Sequence, residues 1–165
     1  MKLLKTLPLL ALITVLSFSC STDNIDDNVE AIITEKLVTP ATKTIEVEIM
    51  DLINDHRLSL GLKPLNDMTI VKSVAYSHTD YMVDNNIVSH DNFYKRSTYL
   101  KENAGAQKVS ENVAYGYTSA QSVVSAWIKS EGHKANIEGD FTNFDISAEQ
   151  NKEGKWYYTN IFIKK

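Results

Sequence analysis

Along residues 156–163, Trp156, Tyr158, Asn160 and Phe162 alternate with Tyr157, Thr159, Ile161 and Ile163. A strand sends successive side chains to opposite faces, so a run this apolar on both faces needs cover on both sides. Its place is the middle of a sheet. Just upstream, Phe144, Ile146 and Ala148 alternate with Asp145, Ser147 and Glu149, and Asn151-Lys152-Glu153-Gly154 provides a hairpin turn between the two runs.

The covering layers come from stretches with a helical period. Ile45, Ile49, Leu52, Ile53 and His56 keep helical spacing up to Gly61; Thr44 is the expected cap, and Glu46 and Glu48 suit a positive helix N-terminus. A turn at residues 63–66 precedes a second helix from about Asp67 to Asn85, with Val71, Val74, Ala75, His78 and Met82 inward. Ile87-Val88-Ser89-His90 reads as a short β-type run, and residues 92–103 as a less regular helix before a turn at Gly105. Ser119 caps a further helix whose stripe is Ala120, Val123, Val124 and Trp127, with Gly132 as its stop. Helices on either side of a small antiparallel sheet make an α+β fold, a three-layer α-β-α sandwich.

The chain has 165 residues, enough for one domain with its own core. The formal charge is −4 and the lysines are scattered, which argues against a nucleic-acid partner. Residues 1–19 carry Lys2 and Lys5 ahead of the apolar run Leu7 to Phe18, too brief for a membrane span, and read as an export signal. Removing them takes away two lysines and lowers the formal charge from −4 to −6. Cys20, the only cysteine, stands at the cleavage point and has no partner for an internal disulfide. This arrangement resembles a bacterial lipoprotein signal, which implies a lipid on Cys20 and a membrane as partner, with simple secretion as the alternative. Residues 20–41 form an acidic, polar tether, similar to that of surface-displayed lipoproteins of the Bacteroidetes type, although Ile32, Ile33, Leu37 and Val38 could pack locally; the domain is placed at 42–165.

Polar chemistry concentrates in three places: Ser89-His90, Ser110-Glu111-Asn112-Val113-Ala114, and Trp127 through Ser130, Gly132-His133 and Ala135-Asn136-Ile137. Together these runs resemble the CAP superfamily, which contains cysteine-rich secretory proteins, antigen 5, pathogenesis-related 1 proteins and bacterial SCP-like extracellular proteins. The resemblance implies an α-β-α sandwich with a central cleft, ringed by two histidines and two acidic residues, where some members bind zinc. Carried over, His90 and His133 match the two histidines and Glu111 the first acid. Here Ser110 replaces a glycine, Ser130 stands where the animal and plant pattern has its second acid, and Glu131 is one position away. Asn112, Glu131 and His78 are supporting candidates, His78 being the type of stripe histidine that bonds a carbonyl or carboxylate in a core.

Several uses of this set stay open. Two imidazoles and a carboxylate from three loops are ligand types that Zn2+ accepts, as a His2Glu site with an open position. Alternatively Glu111 bridges His90 and His133 and ties the loops together. A metal-assisted peptidase or esterase of the cell envelope is a third use. Ser89, adjacent to His90, would point to the opposite face as a nucleophile, and there is no Gly-x-Ser-x-Gly elbow. The favoured reading is an exported, monomeric binding module for a lipid or small molecule, located at a bacterial outer membrane or cell surface. Tyr94, Tyr99, Tyr115, Tyr117, Tyr157 and Tyr158 are available to line a groove or to pack the sandwich.

Overall fold

The computed structural model describes residues 37–165, so the export signal, Cys20 and most of the acidic segment lie outside the described residues. Those described form five helices and four strands: α1 (Thr44–Ser59), β1 (Asn66–Asp67), α2 (Thr69–Asn85), α3 (Phe93–Ala104), β2 (Lys108–Tyr115), α4 (Ala120–Lys129), α5 (Glu131–Ile137), β3 (Asn143–Gln150) and β4 (Trp156–Lys164). The sheet runs β1-β3-β4-β2. β4 pairs antiparallel with both β3 and β2, and β1 adds two residues in parallel to the start of β3. As its two apolar faces require, β4 lies inside the sheet and is buried along most of its length.

Each face carries its own layer. Ile49 and Ile53 of α1, Val123, Val124 and Trp127 of α4, and Ile137 of α5 pack on Phe144, Ile146, Ala148, Tyr158 and Phe162. Val71, Val74 and Ala75 of α2 and Leu100 and Ala104 of α3 pack on Ile161 and Ile163, while Met82 meets Val113 and Tyr157. The result is an α+β, three-layer α-β-α sandwich. Leu37 packs against the second of these clusters, and Thr39 and Ser73 share a hydroxyl hydrogen bond.

Local expectations are corrected in five places. Thr44 is the first helical residue, and the cap at Lys43 is made by Glu46, whose carboxylate accepts the Lys43 N–H at 2.7 Å. Asn66 and Asp67 pair as strand because the Asn66 N–H donates to the Thr142 carbonyl, so α2 begins later, at Thr69. Residues 87–90 are irregular, since Ile87 and Val88 are exposed and have no face to bury. Residues 108–115 form edge strand β2, and so Glu111 comes from a strand. Gly132 does not stop α4: Ser130 turns extended (φ −95°, ψ 119°), and Gly132 lies inside α5.

Candidate functional site

Alternation along β2 splits its polar residues between the two layers. Val109, Glu111 and Val113 face α2 and α3; Asn112 and Ala114 face α4 and α5. Glu111 is therefore carried under the first layer, where its side chain is 1% exposed. A bare carboxylate there would be strongly disfavoured. It is compensated by Arg96 of α3, whose Nε donates to Oε2 at 2.8 Å and whose Nη2 donates to Oε1 at 2.7 Å. This two-bond fork is the geometry a guanidinium offers and an ammonium does not. Arg96 also donates through Nη1 to the Asp91 carbonyl at 2.6 Å, tying the histidine loop to α3.

His90 completes the arrangement, with Nδ1 2.8 Å from Glu111 Oε1. Burial pushes the Glu111 pKa upward, but the hydrogen bonds from His90 and Arg96 and the Arg96 charge prevail and hold it below its ordinary value. Glu111 is then an acceptor only, so His90 Nδ1 carries the proton and donates. The His90 side chain is 53% exposed, and its Nε2 has no hydrogen-bond partner among the described residues. Behind it, buried His78 bonds the Ser89 carbonyl through Nε2 at 2.8 Å, lies 3.9 Å from Glu111 Oε1, and stacks on Tyr81. Burial and then the Arg96 charge lower the His78 pKa, keeping the ring neutral.

His133 arrives from the other layer, on α5. Asn112, fully buried, donates from Nδ2 to the His133 carbonyl at 3.1 Å and accepts from Asn136 Nδ2 at 2.8 Å. Asn136 also donates to the Glu111 carbonyl at 3.2 Å, clasping α5 to the outer edge of β2. The His133 ring places Nδ1 2.8 Å from Ser130 Oγ, and its Nε2 too has no hydrogen-bond partner among the described residues. Burial lowers the His133 pKa, and the His90 charge lowers it further, so the two rings feel one another across the edge of the sheet.

The fold thus joins His90 and Glu111 by a hydrogen bond, sets His78 3.9 Å from the same carboxylate, and seats Asn112 beneath His133. Glu111 does not bridge the two outer imidazoles: its partners are His90 and Arg96, and His133 turns to Ser130. Glu131 is exposed in the first turn of α5. Ser89 Oγ accepts from the Asp91 N–H and is not bonded to His90. The tyrosines do not line one groove, since Tyr157 and Tyr158 are buried on opposite faces while Tyr94 is 64% exposed. Arg96 was not singled out in the sequence, although a chain with two arginines among 17 basic residues offered a cue. A His2Glu zinc site does not fit these residues. Both Glu111 oxygens are already occupied by Arg96 and His90, and among the described residues no group of three or more His, Cys, Asp or Glu side chains could hold a metal ion.

Comparison with known proteins adds independent findings. The sequence model of the cysteine-rich secretory protein family, CAP, matches residues 50–162. An uncharacterized membrane protein, YlbC, of Bacillus subtilis (strain 168) is 34% identical over 128 residues, 74% of this chain and 35% of the relative. The chain spans well under half the length of the curated relatives it matches. Among solved structures, an extracellular protein containing an SCP domain from Bacillus anthracis str. Ames superposes with a TM-score of 0.65 at 27% identity, over 78% of this chain and 45% of that one. An outer surface protein from Borrelia burgdorferi superposes with a TM-score of 0.68 at 20% identity, over 79% and 99%, a likeness of fold.

Proposed function

The chain belongs to the cysteine-rich secretory protein (CAP) family, and on that premise we propose that it works outside the cytoplasm as a binding module, tethered to a membrane by lipid on Cys20. The basic and apolar run before Cys20 supports export, and the similar SCP-domain protein of Bacillus anthracis is described as extracellular. The site is the cleft formed by His90 and His133, which receives polar groups of a lipid or small molecule, or a weakly held divalent cation.

The observation that carries this reading is the occupancy of Glu111. Its carboxylate is taken up by Arg96 and His90, which fixes the His90 tautomer and leaves Nε2 of both outer rings for a ligand. A metal-assisted hydrolase would use that carboxylate as ligand or base, and the Arg96 fork holds it away from either use. Calorimetric titration of the full chain with zinc tests the site. Weak binding is expected, lost in His90→Ala/His133→Ala and weakened but not abolished in Glu111→Gln, because the carboxylate acts behind the ring. An isotherm unchanged in the double variant overturns the proposal.

A further inference from the structure

We infer that Ser130 and His133 form a nucleophile–base dyad that hydrolyses small activated esters without a metal. Ser130 stands at the break between α4 and α5, in extended conformation, with its backbone pinned on both sides: its N–H donates to the Trp127 carbonyl at 3.1 Å and its carbonyl accepts from Lys134 at 2.8 Å. Ser130 as a residue is half-buried, and its Oγ lies 2.8 Å from His133 Nδ1, within the reach that nucleophile activation requires. The His133 backbone is fixed by Asn112, so the ring has a defined place. Burial favours its neutral form, the form able to take a proton. The Ser130 side chain has no competing role as a helix cap, since no capping hydrogen bond is made from it.

In the first step Ser130 Oγ bonds to the acyl carbon while its proton passes to His133 Nδ1. The ester C–O bond then breaks, and the departing alcohol takes that proton. In the second step water attacks the acyl-serine, gives its proton to Nδ1, and the acid leaves as Ser130 Oγ is reprotonated; ester and water become acid and alcohol. No carboxylate backs His133, whose Nε2 has no hydrogen-bond partner among the described residues. The ring is then a modest base, and the fitting substrates have good leaving groups, unlike amides.

This inference shares the cleft with the binding reading but stands apart from it, and its test is run with a chelator so that the zinc titration has no bearing on it. The full chain is treated with a fluorophosphonate, which bonds to an activated serine with loss of fluoride, and the adduct is located by peptide mass spectrometry. Hydrolysis of p-nitrophenyl acetate is measured in parallel. The expected result is an adduct on Ser130, absent in His133→Gln, and an ester rate that falls at least about tenfold in Ser130→Ala and in His133→Gln. Unchanged far-ultraviolet spectra and melting curves establish that the variants are folded. Folded wild-type protein with no adduct on Ser130, or a rate that survives Ser130→Ala, overturns the inference.

Discussion

Arg96 and Glu111 form the pair on which the first half of the site depends. Glu111 is 1% exposed and Arg96 is 11% exposed, so removing either leaves a charge uncompensated in the interior. Arg96→Ala is expected to destabilise the protein by about 3 kcal/mol in urea unfolding, and Arg96→Lys to recover only part of that, since one ammonium cannot match both carboxylate oxygens. Equal stabilities for Arg96→Lys and wild type would show that the fork is dispensable. Two other buried groups set the response to pH. Asp145 is raised from 3.8 to about 6, chiefly by burial, so its contribution is full below 3.8 and lost as pH rises through about 6. His78, lowered mainly by burial, runs the other way: its contribution is full above 6.5 and lost as pH falls below that value. The two oppose one another in mild acid. The stability of Asp145→Asn relative to wild type should therefore drop by about 2 kcal/mol between pH 7 and pH 4, and a flat difference across that range would exclude the raised Asp145 pKa. The sequence marked His90, Glu111 and His133 through their motifs, but it could not mark Asp145, whose burial follows from the register of β3 against β4.

At the scale of elements, both free edges of the sheet are closed by side chains rather than by further strands. Beyond the two residues of β1, β3 would expose unpaired backbone. There Glu46 of α1 accepts the Ala148 N–H at 2.8 Å and Lys72 of α2 donates to the Ile146 carbonyl at 2.7 Å, while the two side chains pair at 2.6 Å. On β2, Asn136 donates to the Glu111 carbonyl and Trp127 Nε1 to the Val113 carbonyl at 3.2 Å. Both devices satisfy buried backbone groups and block edge-to-edge association. Lys72→Ala removes the close, buried ion partner of Glu46, leaving only Lys43 Nζ at 3.8 Å, and should lower stability by about 3 kcal/mol, with faster hydrogen exchange at the Ala148 amide. Protection at Ala148 equal to that of wild type would mean that Glu46 closes this edge unaided. These edges also explain what the sequence displayed. β3 and β4 and the stripes of α1, α2 and α4 were legible because apolar burial leaves a period of two or of 3.6. β2 was hidden because Ser110, Glu111 and Asn112 put polar groups on both of its faces. α5 was hidden because a glycine that normally ends helices sits inside it.

For the whole molecule, the site joins the two layers at the β2 edge, opposite the β3 edge where Glu46 and Lys72 join them. His78, His90 and Arg96 belong to the α2–α3 side, whereas Ser130, His133 and Asn136 belong to the α4–α5 side. Neither layer alone supplies these side chains, so the geometry of the candidate site depends on how firmly α5 is seated. The remote fastening is Arg57 of α1, 3% exposed, which donates through Nη1 to the Ile137 carbonyl at 2.6 Å and the Gly139 carbonyl at 2.9 Å and through Nε to the Lys63 carbonyl at 2.9 Å. His56 adds a contact to Glu138 at 2.9 Å. Carbonyl acceptors leave no trace in side-chain patterning, which is why this clasp could not be anticipated from the sequence. Arg57→Met keeps the aliphatic bulk while removing the donor shared by those carbonyls, of which Gly139 keeps the Phe141 N–H, at a cost of about 2–3 kcal/mol in global stability. Its more specific effect should appear at His133. As α5 loosens, the ring gains water and moves away from the His90 charge, so its pKa rises toward 6.5, whereas His78, in the opposite layer, keeps its lowered value. Histidine titrations followed by proton NMR read both rings in one sample. Equal shifts at His78 and His133 would mean that the whole sandwich had relaxed, and no shift at either would mean that Asn112 and Asn136 hold α5 without help from α1.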